Sequence, residues 1–180
     1  AEKLGVTGVC GSGIIEVIAE MYLSGIITED GVINGDLATR ENSPVFEDGR
    51  TFSYLLRGKE PRLVITQNDV RAIQLAKAAL YAGIKLLMDK LNITSVDQIG
   101  LAGAFGSFID PKYAMVLGLV PDCDLDSIKA VGNAAGTGAQ MALLNRDRRR
   151  EIEETVTRIE KIETALEKKF QDHFVNAMAF

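Results

Sequence analysis

The chain has 180 residues, 47% hydrophobic and 25% charged, with a net charge of −5; it can bury one core and is neither a disordered nor a fibrous chain. The acidic balance, with a pI near 5.0, argues against nucleic acid as the main partner. No apolar run approaches the ~20 residues of a membrane span, so no membrane partner is expected.

Two cysteines, Cys10 and Cys123, cannot build a disulfide framework, a zinc site or a complete iron–sulfur motif, and two lone thiols fit a reducing cytoplasm. No signal peptide is visible. The opening Ala1-Glu2-Lys3 without an initiator Met reads as a piece of a longer protein.

In chain order, residues 1–13 are rich in glycine, and Ile14, Ile15, Val17, Ile18, Met21 and Tyr22 then recur at helical spacing before a stop at Gly25. Residues 28–62 read as loop, with short strands near 52–57 and 63–66. Thr66 and Asp69 form a T-x-x-D start for the clearest helix, 67–91, about 36 Å long at 1.5 Å per residue. Its expected buried stripe is Ile73, Ala76, Leu80, Ile84, Leu87 and Leu91, and Ala78, Ala79, Ala82 and Gly83 keep it slim. Gln98–Ala102 reads as a buried strand. Asp110 and Pro111 fit the cap and first position of a short helix ending near Gly118. Ile128–Val131 is another strand, followed by a small-residue helix over 132–145. In the tail, Ile152, Val156, Ile159, Ile162 and Leu166 keep a helical period, although 156–162 equally suits a short strand. Leu166, Phe170, Phe174 and Met178 are expected on the inner face of a closing helix. Helices alternating with strands define an α/β class.

Three glycine-rich turns each lead into a helix. "GVCGSG", 8–13, offers backbone N–H groups at a helix start but lacks the lysine of a P-loop; a structural turn and a phosphate cradle both remain open. In "LAGAFGSFID", 101–110, small residues follow a strand, the place where open α/β sheets bind ligands. Tight packing and a flat ligand against the backbone are both open here. In "GNAAGTGA", 132–139, two helical glycines cost about 1 kcal/mol each relative to alanine, and packing against the turn at 103–106 is the expected reason. His173, the only histidine, reads as a structural polar edge. Asp122, Asp124 and Asp126 lack the rest of a calcium loop and read as turn polar groups. The basic run Arg146–Arg150 is offset by Asp147, Glu151, Glu153 and Glu154, as on a solvated helix face.

The blocks "GVCGSGIIEVIAEMYLSGII", "ITQNDVRAIQLAKAALYAGIKLL", "IGLAGAFGSFID" and "VGNAAGTGAQMALLN", in this order and over nearly the whole chain, closely resemble one family. It is the C-terminal ATPase region of the reductive activators of corrinoid proteins, often described only as ferredoxin-like [2Fe–2S] proteins. The resemblance implies one lobe, residues 1–180, of an actin-like (ribonuclease H-like) ATPase fold with a mixed sheet and flanking helices. It implies ATP with Mg²⁺ as cofactor, and nucleoside contacts at Gly103, Ala104, Phe105, Gly106 and Ser107. Gly11, Ser12 and Gly13 would lie near the nucleotide. No catalytic or metal-ligating residue is assigned.

Family members also carry an N-terminal [2Fe–2S] domain with four cysteines and two Asp-Gly phosphate strands; these fall outside this chain. The expected partner is a corrinoid protein, whose inactive Co(II) is returned to Co(I), and a homodimer is left open. In related activators of acyl-CoA dehydratases a cysteine before a similar turn helps hold a cluster between subunits. Cys10 invites that comparison but is read as a buried or inert thiol. A small-molecule kinase of the same fold and a non-enzymatic interaction lobe are the alternatives.

Overall fold

In the computed structural model, which describes residues 5–180, the Thr66–Asp69 pair closes the capping box that its spacing predicts. The Thr66 hydroxyl accepts from Asp69 N at 3.2 Å, and Asp69 Oδ2 accepts from Thr66 N at 2.8 Å. Two of the orphan donors at the helix start are thereby satisfied. The helix that follows, Gln67–Leu91 (α2), ends at Asn92 in the left-handed conformation, φ 54°. Helix α1 is Gly11–Leu23; strands Val45–Asp48 (β1), Thr51–Arg57 (β2) and Leu63–Thr66 (β3) precede α2. Strand Ile99–Ala102 (β4) follows, then helices Gly103–Gly106 (α3) and Pro111–Val116 (α4), strand Ile128–Gly132 (β5), and helices Ala134–Leu144 (α5), Arg146–Val156 (α6) and Lys168–Asn176 (α7).

The α/β class holds, with antiparallel and parallel pairing divided between two sheets. The first is the meander β1-β2-β3, with Val45 opposite Tyr54 and Asp48 opposite Thr51. The second is the parallel pair β4-β5, with Ile99 opposite Ile128 and Ala102 opposite Gly132. Strand β1 lies inside a stretch expected to be loop. Two of its four residues are acidic and only Val45 is buried, so its pairing with β2, not its own composition, makes it a strand.

The core gathers Ile15, Ile18, Ala19 and Met21 of α1 with Ile27, Ile33, Val45, Ile65 and Val70, and with Ala114, Leu117, Leu119, Val120 and Ile128. Asp110 caps α4 by accepting from Lys112 N at 2.8 Å, with Pro111 in the first turn, and Gly118 ends it at φ +68°.

Three expectations are corrected. The buried face of α2 is Val70, Gln74, Lys77, Ala78, Ala82, Leu86 and Met88; Leu80, Leu87 and Leu91 of the expected stripe are 49%, 50% and 67% exposed. The reason is polar. Gln74 donates to Asp30 O at 3.1 Å and Met178 O at 3.0 Å, and Lys77 donates to Ala179 O, so main-chain carbonyls of the loop after α1 and of the tail select that face. Strand β4 is half-buried rather than buried: Ile99 and Leu101 point inward, while Gly100 and Ala102 are exposed. In the tail, α6 stops at Val156 and residues 157–163 form neither helix nor strand. Leu166 sits in a 3₁₀ turn, 82% exposed, outside the inner face of α7, where Phe170 and Phe174 stack at 6.4 Å.

His173 is structural, as expected: its Nε2 lies 3.0 Å from Asp89 Oδ2, and Lys169 Nζ lies 3.1 Å from the same oxygen, pinning α7 to α2. These two partners, His173 first, hold the Asp89 carboxyl below its ordinary value. Asp124 Oδ1 accepts from Asp126 N at 3.0 Å, the turn role expected of that trio.

Candidate functional site

The C-terminal ends of the parallel pair lie side by side, because Ala102 pairs with Gly132. Each strand runs into a helix start: α3 begins at Gly103 and α5 at Ala134. The side chain of Phe105 reaches across to α1. A Cβ built on Gly11 would lie 2.8 Å from the ring's Cε2, so a larger residue there would displace the ring from its present place. Two of the three glycine turns read from the sequence, 8–13 and 103–107, are thus in direct contact.

The two glycines of "GAFG" answer to different causes. Gly103 stands at φ +86°, a conformation that strains any L side chain, and no atom lies within 4 Å of where its Cβ would be. Its bare backbone faces open space. Gly106 is buried, and a Cβ there would meet the carbonyl carbon of Leu101 at 3.1 Å, so it serves packing of α3 on β4. Phe105 is 54% exposed and Phe108 73% exposed, which makes this an apolar ledge, not an enclosed pocket. The Ser107 hydroxyl donates to Gly103 O at 2.8 Å and fixes the turn. Ala104 is a member of the same single helical turn.

The third turn does not pack as expected. A Cβ on Gly136 would meet its own cap, the Asn133 side chain, at 2.4 Å, while Gly138 faces open space. Asn133 Oδ1 accepts from Gly136 N at 2.9 Å, and this close cap, not the turn at 103–106, explains the first of the two glycines.

Cys10 is exposed, which corrects the reading of a buried thiol. It caps α1: its sulfur accepts from Gly13 N at 3.4 Å and lies 3.4 Å from Ser12 Oγ. The Ser12 hydroxyl, then the Gly13 N–H, lowers the thiol's pKa from its ordinary value. A Cβ on Gly13 would press on Val9 at 3.2 Å and on the Cys10 sulfur at 3.3 Å, so Gly13 allows the cap. Among the described residues no group of three or more His, Cys, Asp or Glu could hold a metal.

Phe108, 73% exposed, carries no sequence signal of its own. A phenylalanine between two turns carries no local signal, and its place beside Phe105 follows only from the main chain, where Phe108 N donates to Phe105 O at 3.1 Å.

Parallel strand ends that open onto helix starts, with bare main chain and an exposed aromatic ring beside them, define an α/β lobe. Residues 2–180 match the family described as the C-terminal domain of RACo, the ASKHA domain, and the chain belongs to that family. It is 40% identical over 151 residues to the corrinoid activation enzyme RamQ of Eubacterium limosum, an alignment covering 78% of this chain and 26% of that protein. The solved structure of a reductive activator for corrinoid, iron–sulfur protein superposes with a TM-score of 0.83 at 31% identity, over 96% of this chain and 28% of that one. The chain thus spans about a quarter of the length of these relatives.

Proposed function

We propose that this chain is the nucleotide-binding lobe of a longer, ATP-dependent reductive activator that returns the inactive Co(II) state of a corrinoid protein to Co(I). The corrinoid cobalt is the substrate and gains one electron, which under this reading comes from the reduced [2Fe–2S] cluster of the N-terminal domain that family members carry outside this chain. The names of the two relatives support the reaction class, and the ledge at the strand ends supports the lobe's share in it.

The observation that carries the site is Gly103: positive φ, no neighbour within 4 Å of its Cβ position, and the half-exposed Phe105 ring two residues on. These features fit the flat face of a nucleoside. The main chain of Gly103 and Ala104 forms the floor, Phe105 supplies an apolar contact held in place by Gly11, and Ser107 keeps the turn rigid. Gly11, against the Phe105 ring, opens α1, and under this reading Ser12 and Gly13 after it lie near the nucleotide. ATP, when bound, supplies the free energy that couples lobe closure to an uphill electron transfer.

A [2Fe–2S] cluster does not fit this chain. Such a cluster needs four thiolates, and the sequence has two cysteines. No electron-transfer step is assigned to these residues.

The test is nucleotide binding by the complete activator. Gly103→Val should weaken binding of a fluorescent ATP analogue about tenfold or more, equal to at least about 1.4 kcal/mol, while far-ultraviolet circular dichroism stays unchanged. An affinity equal to that of the parent protein would overturn the adenosine assignment. The 180-residue chain by itself should hydrolyse ATP negligibly, and robust Mg²⁺-dependent turnover would contradict the division of labour proposed here.

A further inference from the structure

A cleft of about 980 Å³ opens between the 3₁₀ turn Gly35–Thr39, the β1–β2 hairpin and the first turns of α2. It shares no lining residue with Gly11–Gly13 or Gly103–Ser107. Three arginines from three separate elements line it. Arg40 ends the 3₁₀ turn, Arg50 sits in the hairpin turn, and Arg71 lies one turn beyond Gln67 on α2. All three are exposed. Among the described residues none of them lies within ion-pair distance of a carboxylate. A fourth guanidinium, Arg62, stacks over the lining Phe46 at 4.7 Å. The lining carboxylates are Asp36, in the first turn of the 3₁₀ helix, and Glu47, on β1.

The walls are fixed. The Gln67 side-chain amide accepts from Ile33 N at 2.9 Å and donates to Gly31 O at 2.6 Å, tying α2 to the loop before the 3₁₀ turn. Unpaired guanidiniums gathered on a rigid wall repel one another. With Asp36 and Glu47 set against the three arginines, the lining keeps one net positive charge in a chain of net charge −5. Such a patch steers and orients an anionic partner.

We propose that this cleft docks an acidic segment of a protein partner, which under the reading above is the corrinoid protein. Small-ligand sites bury most of their ligand around enclosed polar anchors. Here the arginines are exposed and share the lining with half-buried Phe46 and Phe52. Arginine around aromatic anchors is the composition of a protein interface. The net charge of the chain disfavours a nucleic acid in the same place.

The test reverses the rim in the complete activator, as Arg40→Glu, Arg50→Glu and Arg71→Glu together. Exposed charge substitutions of this kind leave stability nearly unchanged. The triple variant should raise KM for the corrinoid protein about tenfold or more, leave kcat and ATP affinity within about twofold, and flatten the salt dependence of KM. A short Glu/Asp-rich peptide should bind the parent protein in a salt-sensitive way and not bind the variant. The peptide arm stands even if the partner is not a corrinoid protein, and the unchanged ATP affinity separates this result from the Gly103→Val result. Unchanged KM together with no peptide binding to the parent protein would overturn the proposal. Stabilisation of the parent protein by inorganic pyrophosphate, lost in the variant and unmatched by the peptide, would also overturn it in favour of a small-anion site.

Discussion

Helices α1 and α5, of 13 and 11 residues, behave in opposite ways despite similar chemistry: both are built mainly of Gly, Ala and aliphatic residues. Helix α1 buries Ile15, Ile18, Ala19 and Met21 against α4 and the meander. Helix α5 buries none of its residues, and Leu143 and Leu144 are 76% and 82% exposed. Apolar composition therefore does not define the core of this lobe. Enclosure by at least two other elements does, and α5 packs chiefly on α6, itself without a buried residue. An exposed apolar helix beside an exposed ledge is the surface a larger assembly would cover.

The contrast can be broken experimentally, beginning where the effect is largest. Leu117→Ala removes a fully enclosed side chain from the α1–α4 packing. It should cost about 2–5 kcal/mol, read from urea unfolding; a loss below about 1 kcal/mol would mean that this core collapses around the cavity. Thr66→Ala opens the capping box of α2 and should cost about 1 kcal/mol, with faster hydrogen exchange in the first turn as its local signature.

Lys77 gives a pH-dependent test. Its ammonium lies against the Phe180 ring, 5.3 Å from the centroid, and burial pushes its pKa from 10.5 down to about 8. Between those two pH values the unfolded chain holds a proton that the folded chain has released. Stability therefore rises with pH across that window, and the penalty for the buried cation is fully present below about 8. Lys77→Met should remove the rise, measured as unfolding midpoint against pH. A slope equal to that of the parent protein would place its origin elsewhere.

The smallest effect belongs to α5. Leu144→Ala should change stability by no more than about 0.5 kcal/mol, because its side chain has nothing to lose. A larger loss would mean that α5 is enclosed in solution and would erase the contrast with α1.

Much of the fold was legible because its signals are local. The T-x-x-D pair, the Asp110-Pro111 start and the Gly25 and Gly118 stops each concern residues within a turn of one another, and each element formed where these marks stand. Strand β1 and the buried face of α2 were not legible, since both are decided by distant partners: Thr51–Tyr54 for the one, the carbonyls of Asp30, Met178 and Ala179 for the other. The same division runs through the candidate site. The sequence marks Gly103 and Gly106 alike, whereas the structure gives one an open, positive-φ backbone and the other a packing contact with Leu101. Nothing local joins Arg40, Arg50 and Arg71, whose meeting depends on the hairpin folding back over α2.

By itself, then, the sequence determined the class, the capped starts of α2 and α4 and the family blocks, all of which rest on short-range capping, periodicity and order along the chain. Only the tertiary structure decided which apolar faces are enclosed, which glycine is bare, and which charges gather without partners. Those depend on groups far apart in sequence, and their free energy exists only once the chain has brought them together.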